Sequence, residues 1–307
     1  MVFIPGLVAT CYTLLLSSRA IAYAVPFGRS DAELSQSSFT TPLSPRADDF
    51  YLRIMPLGAS ITRGDPADPN DPDKNGYRKF LRDRLRFDGW KVNMVGSVSS
   101  FGNMNDRVSC FHHRLCLDIG ILTETYQDNE GWPGYKVDGV RGKASTSVPK
   151  YQPNVIAINV GTNDGQQDGS GGAPDDMERL LDECFENSRG TVVLLSTLLP
   201  NGNAQQAIKE INTAYRNIVS RRQGDGQKIL LAEMDDGFIT LDDIWDGIHP
   251  TKLGAQKMAA VWFDRIQEAE QRGWLQPPND VDFDDGDATF TCGKVRASGY
   301  VSEAQGH

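Results

Sequence analysis

Leu52-Arg53-Ile54-Met55-Pro56-Leu57-Gly58-Ala59-Ser60 is an apolar run closed by a glycine and a small hydroxyl residue. Its length and its apolar side chains read as a short buried strand over 52 to 57, because a helix needs more residues before its stop signal. Gly58 then supplies a sharp turn that lifts Ser60 above the carboxyl end of the strand, where open α/β sheets hold their sites. Working outward, strand-like runs recur at 92 to 96, 154 to 160, 191 to 196 and 229 to 232. Amphipathic helical stretches fall between and after them, near 76 to 87, 136 to 149, 175 to 188, 204 to 222 and 252 to 271. Strands alternating with helices predict a parallel sheet covered on both faces. In the last helix the spacing of Leu253, Met258, Val261 and Ile266 predicts the buried stripe.

Two further blocks carry chemistry. The run Pro153 to Val160 ends in Gly161-Thr162-Asn163-Asp164, and near the carboxyl end stands Asp246-Gly247-Ile248-His249-Pro250. A serine hydroxyl attacks only when an imidazole takes its proton, and the imidazole needs a carboxylate to fix its tautomer. Pro250 stops a helix from running through His249, so Asp246 and His249 share one turn. The chain has four histidines; His112 and His113 lie in an irregular segment and His307 is the last residue, which leaves His249 as the base. An Asn amide at a strand end is a suitable donor to an oxyanion, which makes Asn163 the candidate. The structural alternative is that Asn163, or Asp164, caps the segment that follows.

These blocks, taken in order, resemble the SGNH hydrolases, also called the GDSL family. The serine block is Pro56-Leu57-Gly58-Ala59-Ser60-Ile61-Thr62-Arg63-Gly64, and Glu130-Gly131-Trp132-Pro133-Gly134-Tyr135 is similar to the branch that contains acetylxylan esterases. The resemblance covers roughly 52 to 274, and it departs from the family name in having Gly-Ala-Ser-Ile where Gly-Asp-Ser-Leu is usual. It implies a three-layer α/β/α sandwich around a flavodoxin-like five-stranded parallel sheet. It also implies Ser60 as nucleophile, His249 and Asp246 as its partners, and an oxyanion hole from Ser60 N–H, Gly134 N–H and the Asn163 side chain. Gly96, at the end of the second strand, is the fallback for Gly134, which could instead be a helix-entry glycine. By the same resemblance the substrate is an acetyl ester on plant polysaccharide such as xylan. Trp132, Tyr135 and Trp245 would stack on its sugar rings, unless they serve ordinary packing. No cofactor and no metal is expected. Two alternatives stay open: hydrolysis of short-chain lipid or aryl esters, and a secreted carbohydrate-binding protein that keeps the fold without turnover.

The rest of the chain bounds this reading. A largely apolar stretch from Leu7 to Leu16 precedes Ala22-Tyr23-Ala24, a small-x-small cleavage site. This predicts a signal peptide over 1 to 24 and a secreted protein; the alternative is a retained anchor. Residues 25 to 49, rich in Ser, Pro and Thr, read as a flexible lead-in to a single catalytic domain at 50 to 275. The net charge of −10 and pI near 4.9 argue against nucleic acid or an anionic membrane as partner.

Val108 to Gln127 interrupts the alternation. Val108-Ser109 can be encoded by GTAAGT, Leu122-Thr123 by CTGAC and Gln127 by CAG, the marks of an intron's start, branch point and end. The segment is therefore either a retained intron of twenty codons, which a spliced transcript lacking them would establish, or an insertion closed by a Cys110–Cys116 disulfide. Cys184 and Cys292 remain as a second pair, able to pin the acidic extension at 276 to 307 to the domain. Within that extension Asp280 to Asp287 alternates acids, but its glycine and its missing final Glu do not suit a calcium loop.

Overall fold

A computed structural model describes residues 50–70, 76–99 and 128–282. The expected leader, the segment at 108 to 127 with its two cysteines, and the extension from 283 onward, Cys292 included, lie outside the described residues.

Five parallel strands form the body of the sheet, in the order β2 (Val92–Met94), β1 (Leu52–Gly58), β5 (Val155–Asn159), β6 (Val192–Ser196) and β7 (Ile229–Ala232). Each matches an expected strand. Two short strands were not anticipated: β4 (Asp128–Gly131) continues the β2 edge of β1, pairing Leu57 with Glu130 and Gly58 with Gly131, and β3 (Val98–Ser99) runs antiparallel to β4. They carry no apolar strand pattern, although Asn129 and Glu130 are fully buried. The second strand stops at Met94, before Gly96, where a side chain would sit 2.2 Å from the Asn129 carbonyl. Gly96 thus serves the close passage of the chain against β4.

Alternate side chains of each strand enter two cores. Leu52, Ile54, Val155, Ala157, Val192 and Leu194 face α2 (Gly76–Phe87) and α7 (Lys252–Gln271). Met55, Leu57, Ile156, Ile158, Val193 and Leu195 face α3 (Val137–Tyr151), α5 (Ala173–Asn187) and α6 (Gln205–Gly224). The result is the expected three-layer sandwich. Cys184 lies in the second core as a free, fully buried thiol.

The expected stripe of α7 is corrected in part. Met258 and Ile266 are buried, but Leu253 is 57% exposed and Val261 only partly covered. The buried face instead runs through Ala255, Met258, Ala259, Trp262, Ile266 and Ala269, with Trp262 packed 5.9 Å from the ring of Tyr77. Alanines let the helix lie close to the sheet, and an apolar side chain in the first turn has no layer above it to enter. Residues of the expected extension also return to the domain: Asn154 Nδ2 donates to Gln276 O at 2.8 Å, and Arg53 donates to Asn279 O at 2.7 Å.

Trp262→Ala should therefore cost about 3–5 kcal/mol in urea unfolding, whereas Leu253→Ala should stay within about 0.5 kcal/mol of the parent. Equal losses at the two positions would mean that α7 is rotated from this orientation.

Candidate active site

The strand order places the site. The chain leaves β1 for β2 on one side and resumes at β5 on the other, so a crevice opens at the carboxyl ends of β1 and β5. Gly58 and Asn159 are register partners there. A side-chain carbon on Gly58 would lie 2.2 Å from Asn159 O and 2.3 Å from Thr62 Oγ1, so only glycine allows the two strand ends to come this close. Beyond β1 the chain turns at once into α1 (Ser60–Arg63), and beyond β5 into α4 (Thr162–Gln167). Gly161, between β5 and α4, has φ 126°, and a side chain on it would meet the Tyr215 hydroxyl at 2.6 Å. Ser60 and Asn163 thus stand at the two lips of one crevice, and both line a small cleft with Ala59, Asn159 and Thr162.

His249 arrives from the loop after β7. Trp245 N–H donates to His249 O at 3.0 Å, and an antiparallel bridge joins Ile244 to Pro250, closing a tight turn around Asp246. The turn is followed directly by α7, whose N-cap Thr251 accepts from Gly254 N–H. Asp246 Oδ1 accepts from the backbone N–H groups of Ile248 at 2.9 Å and His249 at 2.7 Å. Its Oδ2 lies 2.7 Å from His249 Nδ1, and His249 Nε2 lies 2.9 Å from Ser60 Oγ. A carboxylate only accepts, so Nδ1 carries the proton and Nε2 is left to accept from the serine hydroxyl. Burial opposes ionisation of Asp246, but the hydrogen bonds from His249 N–H, the imidazole and Ile248 N–H outweigh it and hold the carboxyl below its usual value.

The residues expected to receive an oxyanion gather on the other side of Ser60. Trp132 N–H donates to Gly58 O at 2.9 Å, which fixes the glycine block beside the serine block. Asn163 Nδ2 donates to Tyr135 O at 2.8 Å, leaving its second hydrogen for another acceptor. The backbone N–H groups of Ser60 and Gly134 have no acceptor among the described residues. Gly134 is exposed with φ 79°, a conformation that favours glycine. Gly131 N–H, by contrast, is taken by Asn129 Oδ1 at 2.8 Å.

The three aromatic candidates differ. Trp245 and Tyr135 are exposed beside the site. Trp132 is committed: its Nε1 donates to Glu130 Oε2 at 2.9 Å, Lys143 Nζ lies 4.0 Å over its ring, and Tyr135 packs 5.7 Å away. Its part is to hold the block, since one ring face is already covered. Sequence reasoning missed Glu130, fully buried, whose Oε1 accepts from Ser97 N–H. It also missed Asp68, whose carboxylate accepts from Asn70 N–H at 2.8 Å and Lys252 N–H at 3.2 Å, tying the loop after α1 to the start of α7. Asp68, an acid in a loop, has no periodicity to mark it, and Glu130 stands in a polar strand with no apolar pattern.

Comparison with known proteins bears on the family and the fold. Residues 110–257 match the sequence model of the GDSL-like lipase/acylhydrolase family, a span that holds Asn163, Asp246 and His249 but not Ser60. A multidomain esterase of Ruminococcus flavefaciens is 25% identical over 268 residues, 78% of this chain; the chain spans 32% of that relative's length. Among solved structures, a family 3 carbohydrate esterase of Clostridium thermocellum superposes with a TM-score of 0.58 at 20% identity, covering 74% of this chain and 100% of that one. A carbohydrate esterase family 3 protein of Talaromyces cellulolyticus gives 0.57 at 17% identity, covering 72% and 99%. The similarity to the GDSL-like lipase/acylhydrolase family thus extends over just under half of the chain.

Because the Asp246 carboxyl is held below its usual value in the folded state, its stabilisation is full above the unfolded value of about 4 and is lost as pH falls through the folded one. Thermal unfolding should show wild type above Asp246→Asn at pH 7 and the gap closing below pH about 4. A gap independent of pH would show that the charge does not hold this turn.

Proposed function

We propose that this chain is a secreted serine esterase that removes acyl groups, acetyl above all, from plant cell-wall polysaccharide such as xylan. The observation that carries the reading is the continuous chain from Asp246 through His249 to Ser60, with links of 2.7 and 2.9 Å. In the proposed reaction His249 takes the hydroxyl proton as Ser60 Oγ attacks the ester carbonyl carbon. The carbonyl oxygen becomes an oxyanion that accepts from Ser60 N–H, Gly134 N–H and the Asn163 amide. Collapse breaks the bond from the carbonyl carbon to the sugar oxygen, which takes the proton from His249 and leaves as the free hydroxyl. Water, activated by the same imidazole, then releases acetate and restores Ser60. Asp246 stays ionised throughout, stabilising the transient imidazolium. No cofactor enters the scheme.

Several features favour acetyl on a carbohydrate. The spaces touching Ser60 are about 190 and 320 Å³, and polar groups share their walls: Asn159, Thr162 and Asn163 in the first, Asp68, Thr251 and Lys252 in the second. These spaces are small, which suits a short acyl group better than a long one. Exposed Trp245 and Tyr135 offer flat apolar faces to sugar rings. The family 3 carbohydrate esterases whose fold this chain shares, and the relative titled an esterase, point the same way. Secretion rests on the leader expected at 1 to 24.

Acetate release from acetylated xylan, compared with hydrolysis of a long-chain aryl ester, tests the reading. Acetate release should dominate and should fall by at least about 10³-fold in Ser60→Ala and by roughly 10⁴-fold in Asp246→Asn. A preference for the long chain would move the substrate to lipid, and a folded wild type with no Ser60-dependent hydrolysis would leave a carbohydrate-binding role.

A further inference from the structure

Asp164 follows the proposed oxyanion donor Asn163, and its side chain reaches beyond its own helix. It is buried in the crevice wall, and its two oxygens accept from the backbone N–H of Val137 at 3.3 and 3.2 Å. Val137 is the first residue of α3, whose N-cap Lys136 makes no side-chain cap of its own. The orphan donor and the positive end of this fifteen-residue helix are therefore met by a carboxylate from a different element. One residue before Asp164 and two before Val137, Asn163 Nδ2 holds Tyr135 O at 2.8 Å, and a third tie joins Lys136 Nζ to Asp168 at 2.5 Å. Neighbouring residues of α4 thus grip 135 to 137, the residues that follow Gly134.

We propose that Asp164 is a positioning residue for the oxyanion hole: by gripping the first turn of α3, its carboxylate sets the separation between Gly134 N–H and the Asn163 amide. The inference rests on the esterase reading above. Its physical basis is that the two donors come from elements that share no strand pairing. Gly134 belongs to the turn between β4 and α3, and Asn163 to α4. The sheet register brings Gly131 and Asn159 to the two sides of Gly58, but Gly134 and Asn163 lie three and four residues beyond it, so their final separation is left to the ties across α3 and α4. A donor displaced by a fraction of an ångström loses most of its value to a developing charge, while substrate binding is little affected.

Charge matters to the grip. Asp164 faces Lys136 at the N-cap of α3, Asp176 on α5 and Tyr215 on α6, the last tied to Val160 O at 3.0 Å, while Asp168 pairs with Lys136. Burial pushes its carboxyl up to about 6, against the pull of Val137 N–H and its own N–H. Protonation removes the negative charge from the helix end and one acceptor from Val137, so the grip weakens as pH falls through that value. Acid inactivation should therefore carry a contribution from Asp164.

Steady-state kinetics on an aryl acetate, with wild type, Asp164→Ala and Asp164→Asn, tests this. Asp164→Ala should lower kcat roughly 10- to 100-fold with KM within about twofold, less than the ~10²–10³ lost with an oxyanion donor itself. Asp164→Asn keeps an acceptor oxygen but loses the charge, as protonation does, and should fall between Asp164→Ala and wild type in kcat. On the acid side kcat/KM should fall more steeply in wild type than in Asp164→Asn. An Asp164→Ala enzyme that is less stable but turns over as fast when folded overturns the inference, as does an acid limb unchanged in Asp164→Asn. The Asn variant decides alone where the Ala variant does not fold. A wild type with no Ser60-dependent hydrolysis instead fails the esterase reading itself.

Discussion

The close approach of two strand ends governs everything at this site. Gly58 has no side chain, and that absence is what lets the end of β1 lie against the Asn159 carbonyl and Thr62. Because of it, the chain emerging from β1 and the chain emerging from β5 turn into short helices side by side. One helix begins with Ser60 and the other carries Asn163. The same packing is repeated on the outer side, where Gly131 N–H bonds within its own strand and Trp132 N–H reaches Gly58 O. Any side chain on Gly58 would push the nucleophile and its proposed oxyanion donors apart, well before it disturbed the buried faces of the sheet.

The crevice is assembled from two kinds of rigidity. The Asp246–His249 turn is local: four residues hold carboxylate and imidazole through backbone N–H bonds, and α7 locks the turn from behind. The oxyanion side is long-range, joined through Tyr135, Val137, Asn163 and Asp164 across elements well separated in sequence. Local rigidity makes the base and its carboxylate a unit that tolerates change elsewhere. Long-range rigidity makes the donor set sensitive to helix packing, and it concentrates buried polar groups where their charge state can matter.

This division also explains what could be read from the chain. The five main strands and the long helices were legible because each buries a periodic face, and their bounds agree with the structure to within two residues at most ends. Ser60, Asn163, Asp246 and His249 were legible because each follows a strand or occupies a tight turn with Gly or Pro punctuation. What escaped lies where contact rather than pattern decides. β3 and β4 are polar strands built on the edge of β1, and Leu253 has the right spacing for the core but stands in the first turn of α7. Trp132 looked free to stack on sugar, yet Glu130 and Lys143 hold it. The reach of Asp164 to another helix depends on three-dimensional proximity that no spacing encodes.

The central claim is that Ser60 is an activated nucleophile because His249 and Asp246 stand behind it. Intact-mass and peptide analysis after treatment with a fluorophosphonate tests that claim without assuming a natural substrate. The account predicts one adduct per chain, on Ser60, formed rapidly in wild type and lost in His249→Ala. Slow labelling indifferent to His249, or an adduct on another residue, would contradict it.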